Sequence, residues 1–114
     1  MNWTLGLAGL SGAMAVAAGA FGAHGASGKA AEWLQTGGTY QLIHAAAAVA
    51  VIAVLREAGR GPALTLLVGA LIFAATLYAM ALGAPRWFGA ITPIGGAAMI
   101  AGWLWVGWLG MRTP

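Results

Sequence analysis

Four long runs of this chain carry no charged side chain, and every Lys, Arg and Glu falls in the short segments between or after them. The runs are residues 3–26, 39–55, 62–83 and 91–111. A helix needs about 20 residues at 1.5 Å each to cross roughly 30 Å of hydrocarbon. Three of the runs meet that length, and the second borrows residues at its ends or sits with little tilt. In lipid these runs must be helical, because an unsatisfied backbone group there costs several kcal/mol. The connections are short, so consecutive helices are expected to return alongside one another. The expected fold is an all-α membrane protein. It is a single domain over residues 1–114, with four transmembrane helices in an antiparallel up-down-up-down bundle.

Composition narrows the functional classes. Of 114 residues, 61% are hydrophobic and 6% charged, whereas soluble domains carry about 25% charged residues. The net charge of +3 rests on Lys29, Arg56, Arg60, Arg86 and Arg112, which form no basic patch, so no nucleic-acid partner is expected. With no cysteine, disulfides, thiolate metal sites and cysteine nucleophiles are excluded. "AVAAGA" looks like a signal-peptidase site, but no Lys or Arg precedes Lys29, so the first run is expected to be retained. Trp3 and Trp108 are expected at one membrane surface and Trp33 and Trp87 at the other. Trp103, well inside the fourth run, reads as a packing residue. The terminal face holds Arg56, Arg60 and Arg112, against Lys29 and Arg86 opposite, which places both termini in the cytoplasm.

Small residues recur at helical spacing. Gly6, Gly9 and Gly12 fall every third residue, Ala15, Gly19 and Ala23 every fourth, and Gly69, Gly95, Ala98 and Gly102 continue the theme. Helices in lipid associate through close backbone contact, which such residues allow. Gly19, Gly22, Gly25, Gly95 and Gly96 are therefore read as packing positions. "GAFGAHG" follows no strand and is no dinucleotide fingerprint.

Helix ends at 26, 39, 83 and 91 would bring the polar residues together at one end of the bundle. His24 closes the first run, Tyr40, Gln41 and His44 open the second, Tyr78 ends the third and Thr92 opens the fourth. Polar groups at membrane depth are candidate functional sites. The cluster is expected to hydrogen-bond within itself and fix the helix ends, with no cofactor. Two further readings stay open: proton transfer or transport through the histidines, and haem or metal ligation by His24 and His44 as a pair. No carboxylate pair and no complete Ser–His–acid set is indicated, so no enzymatic activity is expected.

The motifs "GAFGAHG", "TYQLIHA", "LYAMALG" and "TPIGG" with "AGW" resemble, in order and spacing, a small bacterial membrane family known as domain of unknown function 423. Its eukaryotic relatives are called transmembrane protein 256. The resemblance implies a multi-pass protein of the bacterial inner membrane and supplies no activity. Its motif positions here are Gly19, Phe21, Gly22, His24, Gly25, Tyr40, Gln41, His44, Tyr78, Thr92, Pro93, Gly95 and Gly96. In helix three "FAATLY" replaces a more typical Gly-Ser pair before Leu-Tyr, and Thr76 is placed to supply the missing hydroxyl. Partners are the lipid bilayer and either a larger membrane complex or further copies of the chain.

Overall fold

The computed structural model describes residues 1–114 and is helical throughout, without a strand. Helices α1 (Trp3–His24), α2 (Gly28–Leu55), α3 (Arg60–Ala81) and α4 (Thr92–Arg112) follow one another, with 3-10 turns at Arg56–Gly59 and Arg86–Ala90. By length and apolarity, three continuous helical stretches can cross a membrane: Trp3–His24, Gly28–Ala81 and Arg86–Arg112. The middle stretch contains α2, the turn at Arg56–Gly59 and α3.

The largest departure from expectation is the start of α2, at Gly28 instead of residue 39. The segment "KAAEWLQ" carries Lys29 and Glu32, and the uncharged run on which the expectation rests begins only after it. Charge marks where a helix leaves the hydrocarbon, not where it stops, and Lys, Ala, Glu, Leu and Gln all favour helix. Ser27 precedes the helix in extended conformation, and Gly28 itself takes φ +62°, a value natural to glycine. The other ends move by a few residues: α1 stops at His24, α3 covers 60–81 and α4 covers 92–112.

Helix α2 packs between α1 and α3, and α4 packs on the far side of α3. The contacts run in opposite senses along each neighbouring pair. Gly22 meets Leu34, Gly38 meets Ala15 and Gly19, and Gly12 faces Ala45. Between α3 and α4, Thr76 meets Thr92, Gly69 meets Gly95 and Ala98, Leu66 meets Gly102 and Gly61 meets Trp105. The core toward the chain termini is small and apolar: Ala8, Ala45, Ala48, Val51, Ala63, Leu66 and Leu67. Helices α1 and α4 turn most of their surface outward, leaving Leu7, Leu10, Val16, Ile100, Leu104 and Trp108 exposed.

Candidate functional site: a polar network at mid-depth

Gln41 is fully buried. Its helix presents Gly37 and Gly38 one turn away and Ala45 and Ala48 beyond, so α1 and α3 approach closely enough to enclose the amide. The phenol of Tyr78 donates to Gln41 Oε1 at 2.7 Å. Gln41 Nε2 donates to Ser11 Oγ at 3.1 Å and also lies 3.3 Å from Met14 Sδ. One side chain thus links α1, α2 and α3.

His44, one turn along α2, engages the fourth helix. Its Nδ1 lies 2.7 Å from the Tyr40 carbonyl, and the Trp103 indole donates to its Nε2 at 3.0 Å. A carbonyl can only accept and an indole N–H can only donate. The imidazole is therefore neutral, with its proton on Nδ1, and both nitrogens are used. Nearby, the Thr76 and Thr92 hydroxyls meet at 2.6 Å and tie α3 to the first turn of α4. Thr76 also donates back to its own helix at Ile72 and Phe73. No buried side-chain nitrogen or oxygen lacks a partner.

The structure brings together Gln41 with Tyr78, and places His44 and Thr92 close by in separate bonds. It does not assemble the expected cap at one end. Because α2 begins at Gly28, Gln41 and His44 lie near its middle. His24 is exposed at the last residue of α1 and joins no part of the network. The α1–α2 register sets His24 opposite about residue 32 of α2, so it stands some twelve residues, roughly 18 Å, along the bundle from His44. The two histidines of one chain therefore cannot bind a common haem iron or metal ion, and no three His, Asp or Glu side chains gather elsewhere. Tyr40 contributes its carbonyl while its half-exposed ring packs on Phe73, centroids 4.8 Å apart.

Sequence reasoning missed Ser11, Met14 and Trp103 as network members. Trp103 carried a usable signal, since an indole N–H deep in an apolar helix needs an acceptor. Between α1 and α3 a groove of about 210 Å³ opens outward, walled by Leu7, Leu10, Leu64 and Leu71, with Ser11 and Gln41 at its floor.

The proposed packing glycines divide. A Cβ on Gly95 would strike the Phe73 nitrogen and reach 2.6 Å from the Gly69 oxygen; one on Gly22 would reach 2.9 Å from Leu34. Gly19 offers its backbone to Gly38. Gly25 is crowded only by Phe21 of its own helix, and Gly96 has open space. These last two are not interhelical contacts.

The family described as "Protein of unknown function (DUF423)" matches residues 18–96, which include Gln41, His44, Tyr78 and Thr92. The chain belongs to this family. It is 42% identical over 79 residues to a UPF0382 membrane protein of Haemophilus influenzae, covering 67% of this chain and 64% of that protein. It is 38% identical over 75 residues to the UPF0382 inner membrane protein YgdD of Escherichia coli K12, covering 62% of this chain and 57% of that protein. The matched stretches thus span less than two thirds of either relative. No solved structure matches. Ser11, Met14 and Trp103 lie outside the residues matched.

Proposed function

We propose that this chain is a four-pass antiparallel bundle of the bacterial inner membrane, with both termini in the cytoplasm. It serves as a structural or accessory membrane protein and catalyses no reaction. The opposed pairing of contacts along α1–α2 and α3–α4 supports the four crossings. The names of the relatives support the location.

The observation that carries the accessory role is a small-residue face left over after the bundle has packed. Gly6 and Gly9 of α1 have nothing within 4 Å of where a Cβ would stand. Close-packing residues with no intramolecular partner suit a neighbouring transmembrane helix, from a second copy or from a larger complex. Transport is less well supported. The mid-depth polar groups are bonded to one another, and the apolar core from Ala8 to Leu67 follows on the terminal side without a polar relay. The chain has no cysteine, so Gly9→Cys gives a single reactive position. Mild oxidation of membranes carrying it is expected to trap an adduct, of doubled mass for a second copy and of other mass for a larger complex. Val68→Cys, on the exposed face of α3, is expected to trap none. A Gly9→Cys chain that stays monomeric contradicts the reading.

A further inference from the structure

We propose that the end of the bundle holding the α2–α3 turn is a binding site for a phosphate group. A polar cavity of about 280 Å³ lies there between the start of α1 and the turn, lined by Asn2, Thr4, Ile52, Arg56, Glu57 and Arg60 among others. Its charge is unbalanced toward cation. Arg60 Nη1 bonds Glu57 Oε1 at 2.9 Å, the one ion pair in the chain, and this leaves the other Arg60 N–H groups and the whole Arg56 guanidinium free of carboxylate. Arginine forks match the geometry of phosphate oxygens.

Thr4 is the second, independent indication. It is 3% exposed, bonds no other group of the chain, and lines the cavity. No fully buried side-chain oxygen is left unpartnered, so this hydroxyl opens into the cavity and has a hydrogen bond to give there. Asn2 caps α1 through Oδ1, which accepts from the Leu5 N–H at 2.9 Å, and its Nδ2 is left to donate. Of the first-turn amides of α1, Leu5 and Gly6 are bonded by Asn2, which leaves those of Trp3 and Thr4 free at the end of the helix that favours anions. Arg56 is also the one non-glycine residue with positive φ, at +55°. The turn thus keeps an arginine where glycine would be less strained.

The phosphate can come from a lipid headgroup or from a free anion, and the experiment separates the two. The purified chain in detergent is titrated with phosphatidylglycerol, read by native mass spectrometry, and separately with inorganic phosphate, read by calorimetry. One bound lipid and no response to phosphate assigns a headgroup; a response to phosphate assigns a free anion. In whichever arm binds, Arg56→Gln and Thr4→Val are each expected to weaken affinity by about tenfold or more, the scale of one hydrogen bond to a charged group. Arg112→Gln, whose parent arginine stacks on Trp108 at 4.6 Å, is expected to change nothing. Thr4→Val alters no charge and decides the matter if Arg56→Gln loses helicity by circular dichroism. No binding in either arm overturns the proposal, as does full affinity in both variants or an equal loss in Arg112→Gln.

Discussion

The indole of Trp103 donates to Nε2 of His44 at 3.0 Å, joining α4 to α2 across the width of the bundle. With Nδ1 held by the Tyr40 carbonyl, this bond fixes the tautomer of the imidazole. Nitrogen-15 NMR of the histidines in micelles is expected to show one ring protonated at Nδ1 and bare at Nε2. Trp103→Phe keeps the ring packing and removes the donor, so it is expected to cost about 1 kcal/mol of stability. A variant as stable as the parent contradicts the role given to the bond.

His24 has no such partner. Exposed at the C-terminus of α1, it should tolerate replacement. His24→Ala is expected to shift unfolding by less than about 0.5 kcal/mol, as exposed positions do. His44→Ala should cost more than that, because it strands the Trp103 donor. Equal melting of the two variants would contradict this division.

Gly95 and Gly96 are neighbours with opposite expectations. A methyl on Gly95 meets backbone atoms of Phe73 and Gly69, which cannot rotate away, whereas a methyl on Gly96 meets nothing. Gly95→Ala is expected to cost about 1–3 kcal/mol through overpacking at the α3–α4 contact. Gly96→Ala should be neutral or slightly stabilising, since alanine is the better helix former by roughly 1 kcal/mol. Detergent unfolding of the two variants side by side checks the register directly.

Arg56 takes φ +55° and ψ −128°, conditions that suit glycine. Arg56→Gly relieves about 1–3 kcal/mol of backbone strain and adds roughly 0.5–1 kcal/mol of chain entropy to the unfolded state. The balance favours the glycine variant by about 1 kcal/mol. Lower thermal stability than the parent would contradict the strain.

The helical class was legible because lipid leaves few choices to an uncharged run of twenty residues. The register was not, and the reason lies in residues 28–38. Reading Lys29 and Glu32 as a loop shortened α2 and slid Tyr40, Gln41 and His44 to the membrane surface. That placement brought His44 level with His24 and made a ligand pair conceivable. With α2 begun at Gly28 the same residues lie near the middle of the helix, where Gln41 meets Ser11 and His44 meets Trp103.

Residue types alone identified Gln41, His44, Tyr78 and Thr92 as the polar groups to account for. Their partners were hidden because pairing across helices depends on register, which composition and spacing within one helix do not carry. The glycines show the same limit. Gly95 and Gly96 are equal in sequence and differ only in which way the helix turns them.

The interior polar groups tie all four helices to one another. A double-mutant cycle on Gln41→Leu and Tyr78→Phe, read by detergent unfolding, tests it most directly. Their 2.7 Å bond predicts a coupling of about 0.6–1.7 kcal/mol, the range found for interhelical hydrogen bonds in membranes. Additivity of the two substitutions within about 0.3 kcal/mol would contradict it.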